Sequence, residues 1–99
     1  MAVVIILPAA RQDRFEILLR VAEKAGPKSV SKYSKRFTDL FAQLADFPAS
    51  CQARPKLGRG IRVGSVKPYL VIYHYAKTRN TVTVLRIMHA KRNITKHEL

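Results

Sequence analysis

A helical repeat of apolar side chains between residues 30 and 44 constrains the fold of this chain more than any other feature. The apolar positions are Val30, Tyr33, Phe37, Leu40, Phe41 and Leu44. Their spacing gathers them on one face of a helix, and most of the charged side chains fall on the other face. The pattern predicts an amphipathic helix that Ser29 caps and that ends at Phe47-Pro48. Because the spacing matches burial so well, we interpret the aromatic rings as core rather than as a cofactor site.

A helix over Ala9–Ala25 is predicted in front of this one. Pro8 suits a helix start because its missing N–H is not needed there. Asp13 and Glu16 are expected to interact with the positive end of the helix dipole. Gly26-Pro27 should end the helix. Two amphipathic helices separated by so short a joint predict an antiparallel helical hairpin.

The first residues of the chain are predicted to form a strand. Ala2–Leu7 is rich in β-branched side chains, which favours a strand. The segment is too short for the apolar part of a signal peptide and lacks the basic residues that precede one. We therefore expect a cytoplasmic protein.

The second half of the chain is predicted to be a sheet. Alternating and β-branched side chains indicate three strands, over Ile61–Val66, Tyr69–Tyr75 and Thr81–His89, with a turn at Lys77–Asn80. Gly64 is interpreted as a bulge or twist point.

The segments on either side of these strands are predicted to be irregular. Ala49–Gly60 reads as a loop, and Lys91–Leu99 as a polar tail with room for a short helix. The order β-α-α-β-β-β predicts an α+β fold in one domain over residues 1–99, with the helical hairpin on one face of a three-stranded antiparallel sheet.

The charge of the chain is large and uneven. It has 19 Lys and Arg against 6 Asp and Glu, a formal net charge of +13. Residues 1–46 hold eight basic and five acidic side chains, whereas residues 47–97 hold eleven basic side chains and no acidic one. Such an excess indicates an anionic or acidic macromolecular partner.

The same counts exclude several classes of protein. A half without carboxylates is a poor site for divalent metals, and the single cysteine, Cys51, excludes a disulfide scaffold or a cysteine-rich zinc module. No apolar run is long enough to span a membrane. We expect neither a metal nor a cofactor.

His89, Arg62 and Arg86 are the strongest candidates for catalytic residues. Histidine can exchange a proton near neutral pH, so His89 could act as acid or base. Arg62 and Arg86 lie within predicted strands, where a guanidinium must pair with a carboxylate of the helices, with backbone carbonyls or with a ligand. Together they could stabilise the phosphorane of RNA cleavage, but the chain offers no general base other than His89 or a lysine.

A set of ordered motifs resembles the RelE/ParE toxins of bacterial type II toxin–antitoxin systems. The set comprises Phe47-Pro48, Arg54-Pro55-Lys56-Leu57-Gly58, Gly60-Ile61-Arg62, Tyr69-Leu70-Val71-Ile72-Tyr73 and Val84-Leu85-Arg86-Ile87-Met88-His89. The Leu-Arg-x-x-His run at the end is closer to the ParE branch. Ala90 and Asn93 depart from that branch, where a glycine and an acidic residue are usual.

The resemblance implies a growth-arresting toxin that forms a hetero-oligomer with a cognate antitoxin, an acidic or amphipathic, ParD-like protein. ParE-type members inhibit DNA gyrase, whereas RelE-type members are endoribonucleases that cleave mRNA on the ribosome. Because the chain offers no general base other than His89 or a lysine, gyrase is favoured as the target. In the ribonuclease alternative, His89, Arg86 and Arg62 would be catalytic. A basic nucleic-acid-binding domain without toxicity is a further alternative.

We expect the antitoxin to bind in the groove between the helical hairpin and the sheet. Candidate residues for binding the target or the antitoxin are Arg54, Lys56, Arg59, Arg62, Lys67, Tyr69, Tyr73, Arg86, His89, Lys91 and Arg92.

Overall fold

Two helices and five strands make up the protein, and the computed structural model describes all residues, Met1–Leu99. The elements are β1 (Val3–Ile6), α1 (Pro8–Ala25), α2 (Pro27–Asp46), β2 (Gln52–Ala53), β3 (Ile61–Val66), β4 (Tyr69–Ala76) and β5 (Thr81–His89). Short 3-10 turns lie at Pro55–Leu57 and Lys96–Glu98. The predicted α+β class is confirmed.

The strands form one mixed sheet in the order β1-β5-β4-β3-β2. The predicted three-stranded antiparallel sheet is its centre, and two strands extend it. β1 pairs with β5 in parallel. The helical hairpin carries the chain from β1 to β2 at the opposite edge, and β3 and β4 bring it back to β5 beside β1. β2 lies inside the predicted loop over Ala49–Gly60 and pairs with the start of β3.

Gly26 alone joins the two helices. Its φ of 81° lies in the left-handed region that favours glycine, and its N–H donates to the carbonyl of Ala22 at the end of α1. Pro27 is the first residue of α2, where proline is well suited. The prediction that α2 begins after a Ser29 cap was therefore wrong, since Gly26 occupies the cap position.

The main core lies between the helical hairpin and one face of the sheet. Phe37 and Leu44 of α2 are fully buried, and so are Val71, Val82 and Val84 of the sheet. The predicted apolar face of α2 is thus the face that packs inward.

Gly64 is buried beneath α2 rather than forming a bulge. A Cβ at this position would lie 3.0 Å from the Sγ of Cys51 and 3.3 Å from a Leu40 methyl, so its role is close approach. The irregularity in the sheet lies elsewhere, where β5 shifts register opposite Ile72 and Tyr73.

A smaller apolar cluster covers the opposite face of the sheet. Ile61, Val63, Ile72 and Met88 form it, and the partly buried Ile94 and Leu99 pack against it. The segment over Lys91–Leu99 is therefore not simply a polar tail, because its two apolar side chains fold back onto the sheet. Neither helix is long and apolar enough to cross a membrane.

Candidate functional site

A groove opens beside the last residues of β5. β1 ends at Ile6, opposite Val84, whereas β5 continues to His89. The end of β5 therefore has no neighbouring strand on this side. Side chains of α1 and the start of α2 form the other wall, and the groove has a volume of about 580 Å³.

An ion pair between α1 and β5 closes one end of the groove. The Nε of Arg86 donates to Oδ2 of Asp13 at 2.7 Å and Nη2 donates to Oδ1 at 3.0 Å. The N–H of Ile87 donates to the same Oδ2 at 2.9 Å. Asp13 thus replaces the backbone of a neighbouring strand at this point. It does not lie in the first turn of α1, so its expected interaction with the helix dipole is replaced by this pair.

The bidentate contact with Asp13 raises the pKa of the Arg86 guanidinium. The two side chains are only 24% and 12% exposed, so solvent weakens the pair less than it would at the surface. Of the partners considered for Arg86 from the sequence, the structure supplies a carboxylate of the helices. Its hydrogen-bonding capacity is largely used within the protein.

Arg62 uses backbone carbonyls instead. Its Nη1 donates to the carbonyl of Cys51 at 2.7 Å and to that of Ala49 at 3.2 Å. The side chain therefore secures the turn between α2 and β2. Both arginines therefore have hydrogen-bond partners within the protein.

His89 forms part of the groove wall. Its Nδ1 accepts a hydrogen bond from the N–H of Lys91 at 3.1 Å, which leaves Nε2 as the free ring nitrogen. The ring stands edge-on to Tyr69, with 5.7 Å between the centroids, and Tyr69 in turn contacts Tyr33. His89 thus belongs to an aromatic cluster on the wall of the groove.

Arg62 and His89, two of the three residues of the predicted ribonuclease site, do not converge. Arg62 pairs with Tyr73 and His89 pairs with Tyr69 in the sheet. Four residues of β4 separate the two positions, about 13 Å along the strand, and two strand spacings add about 10 Å across the sheet. One phosphate cannot contact both side chains.

The loop after β2 carries a separate group of exposed cations, which we call the basic loop: Arg54, Lys56 and Arg59. The ion pairs of the protein are Lys35–Asp39, Arg86–Asp13 and Arg92–Glu98. None involves the basic loop, so no carboxylate of the protein neutralises its cations. It flanks a hollow of about 390 Å³ beside β3.

Tyr73 was predicted to contact a partner, but it is fully buried. Its hydroxyl donates to the carbonyl of Pro48 at 2.8 Å, because β4 turns this side chain into the main core. Burial raises the pKa of Tyr73 well above its ordinary value, and the neighbouring Cys51 thiol raises it further. Tyr73 therefore supports the fold and offers no surface to a ligand.

We expect Tyr73→Phe to flatten the alkaline decline in stability. The raised pKa favours the neutral phenol in the folded state, so this stabilisation is complete below about pH 10 and is lost as the pH rises above that value. Thermal unfolding of the variant should show a smaller fall between neutral pH and pH 11. The variant should lose about 1 kcal/mol at neutral pH, where the bond to Pro48 is missing. Tyr75→Phe is the matched control, and an equal flattening there would contradict the assignment.

The remaining predicted residues fall into two places. Lys67 and Lys91 are exposed, at the end of the sheet nearest Tyr69. Arg92 lines the groove and forms an ion pair with Glu98 at 2.9 Å. Of the predicted binding residues, the structure brings Tyr69, His89 and Arg92 together in the groove and leaves the basic loop apart.

Sequence reasoning missed the residues that α1 and α2 contribute to the groove. Arg20 and Lys24 form a cationic rim and Tyr33 lies beneath it. Arg20 and Lys24 are one helical turn apart, on the side next to the buried Ile17 and Val21. That spacing could have identified them from the sequence. Charged side chains next to the apolar face of a helix lie at the margin of the surface against which that face packs.

Comparisons with known proteins agree with this architecture. A family model described as the ParE toxin of the type II toxin–antitoxin system parDE matches residues 4–94. Toxin ParE3 of Caulobacter vibrioides is 34% identical over 82 residues, which are 83% of this chain and 80% of that protein.

Two solved structures share the fold. A chain of the chromosomal ParDE system from P. aeruginosa has a TM-score of 0.73 at 18% identity, covering 90% of this chain and 96% of its own. A chain of the RelBE2 toxin–antitoxin complex from Mycobacterium tuberculosis has a TM-score of 0.59 at 21% identity, covering 89% and 96%. The chain belongs to the ParE toxin family of type II toxin–antitoxin systems.

Proposed function

We propose that this toxin inhibits DNA gyrase by binding it, without catalysis of its own, and acts in the cytoplasm. The observation that carries the proposal is the separation of Arg62 from His89 together with the pairing of Arg86 to Asp13. A ribonuclease needs its acid, base and phosphate contacts around one bond. Here Arg62 lies apart from His89 and Arg86 is held by Asp13, whereas the basic loop forms an exposed cationic surface suited to a nucleic-acid-bound or acidic target.

The basic loop is the proposed contact with gyrase. Purified toxin should inhibit supercoiling of plasmid DNA by gyrase. The triple variant Arg54→Ala with Lys56→Ala and Arg59→Ala should raise the toxin concentration needed for this inhibition by about tenfold or more. Lys28→Ala with Lys32→Ala and Lys96→Ala removes the same charge from other exposed positions and should change it less than threefold, an effect expected of net charge alone.

Two outcomes would contradict this proposal. Unchanged supercoiling alongside cleaved mRNA in a translation extract would establish the ribonuclease alternative, and loss of that cleavage in His89→Ala would identify its acid or base. Unchanged supercoiling, intact mRNA and no growth arrest on expression would instead indicate a basic domain without toxicity.

We further propose that the groove binds a ParD-like antitoxin, through an amphipathic segment. Ile17, Val21 and Ile87 give the groove an apolar floor. Arg20 and Lys24 give it a cationic rim, to which Glu16, one helical turn before Arg20, adds one carboxylate. An amphipathic helix places its apolar side chains into such a groove and its carboxylates against the rim.

Reversing the charge of the rim should weaken the complex. We expect Arg20→Glu with Lys24→Glu to lower antitoxin affinity by about tenfold or more, in a calorimetric titration at low salt. Lys28→Glu with Lys32→Glu, an equally spaced and exposed pair on α2, is the control for net charge. Wild-type affinity should fall as salt rises to physiological strength, and a flat salt response would argue against charge-driven recognition.

A further inference from the structure

β1 is an edge strand without the protection that edge strands usually have. No strand pairs with its outer side, and residues 1–10 contain no charged side chain in a chain with a net charge of +13. Val3 is 61% exposed and Ile5 is 45% exposed. Proteins normally blunt such an edge with lysine, proline or a covering element. An exposed apolar edge indicates an interaction surface.

Backbone geometry shows which groups the edge presents. The amides of Val3 and Leu7 donate toward β5, to the carbonyls of Asn80 and Val84. Successive residues of a strand point their backbone groups to opposite sides, so those of Val4 and Ile6 point outward. The contact of Arg11 Nε with the carbonyl of Ile6, at 3.0 Å, agrees with this direction. The N–H and C=O of Val4 and the N–H of Ile6 are left to pair with an added strand.

Cations stand at both ends of this edge. The turn that carries Lys77 and Arg79 adjoins the start of β1, since Asn80 bonds to both Met1 and Val3. Arg11 stands at the other end. Two carboxylates lie close in the chain to these contacts. Asp13, two residues after Arg11, is paired with Arg86, and Asp46 follows the Ala45 carbonyl bonded to Ala2. Three cations against one unpaired carboxylate favour an acidic occupant.

A second copy of this chain fits the edge poorly. Symmetric antiparallel pairing of two β1 strands would place Arg11 of each copy beside the Lys77–Asn80 turn of the other, which brings like charges together. Two molecules of +13 would also repel each other at long range.

We propose that the outer edge of β1 binds an extended acidic segment of a partner protein by strand addition. The segment would hydrogen-bond to the backbone of Val4 and Ile6 and lay alternate apolar side chains over Val3 and Ile5. Its carboxylates would lie at the two ends, near Arg11 and near Lys77 and Arg79. This surface is distinct from the groove and from the basic loop.

Amide hydrogen exchange and fluorescence anisotropy test the proposal. The probe is a capped peptide with paired glutamates at each end and alternating valine and threonine between them. We expect it to bind and to slow exchange at the Val4 and Ile6 amides, and we expect its glutamate-to-lysine counterpart to bind at least about tenfold more weakly. Unchanged exchange at both amides, or equal binding of the two peptides, would overturn the proposal.

Matched variants locate the contact. Ile5→Lys should weaken peptide binding by about tenfold or more, whereas Leu19→Lys on α1, where the native side chain is similarly exposed at 50%, should leave it unchanged. Lys77→Glu with Arg79→Glu should weaken binding more than Lys28→Glu with Lys32→Glu. Equal effects within either pair would overturn the proposal, as would a toxin dimer in light scattering that Ile5→Lys dissociates.

Discussion

Replacing Asp13 with alanine is expected to lower the free energy of unfolding by about 3 kcal/mol. The substitution leaves the Arg86 guanidinium, three-quarters buried, without its carboxylate and the N–H of Ile87 without its acceptor. Each loss is costly because neither group can be fully hydrated in the folded state. Urea unfolding followed by circular dichroism at neutral pH measures the change.

Two further variants separate the buried pair from charge in general. Asp39→Ala removes the partner of Lys35 in an ion pair whose side chains are 76% and 61% exposed, and it should cost less than about 0.5 kcal/mol. Asp13→Ala with Arg86→Leu removes both buried charges and should recover about 1 kcal/mol relative to Asp13→Ala. A loss for Asp39→Ala as large as that for Asp13→Ala would show that the contact with Arg86 has no special weight.

Most of the architecture could be predicted because local patterns determine it. The apolar spacing of α2 and the alternation along β4 each follow from burying one face of one element. The place of β1 in the sheet could not be predicted in this way, because it depends on the path that the chain takes after the helical hairpin. β2 escaped notice for a related reason, since two residues are too few to show alternation.

The candidate site was predicted less completely because side chains meet there across long sequence separations. Two of the three partner classes considered for the strand arginines are the ones used, a carboxylate of the helices for Arg86 and carbonyls for Arg62. No pattern within a strand indicates which arginine takes which partner. Tyr73 shows the limit of alternation, which gives the face on which a side chain lies but not how deeply that face is covered.

A second large loss of stability is expected when the apolar side chains near the C-terminus are replaced. Ile94 and Leu99 pack over the sheet face that Ile61, Val63, Ile72 and Met88 form. Ile94→Asn with Leu99→Asn should lower the free energy of unfolding by about 2 kcal/mol, because two partly buried apolar side chains lose their burial. The sheet face would become accessible, so we expect the fluorescence of a dye that binds exposed apolar surface to rise several-fold in the folded variant.

Lys96→Asn with His97→Asn is the matched control, because both side chains are exposed in the same segment. It should change neither the unfolding midpoint nor dye binding, which separates loss of apolar cover from any change of sequence near the C-terminus. The ion pair of Arg92 with Glu98 and the contact of Arg86 with the Glu98 carbonyl stay available in both variants. If the two variants unfolded at the same urea concentration, these polar contacts alone would suffice to hold the segment, and apolar packing would not be what keeps it on the sheet.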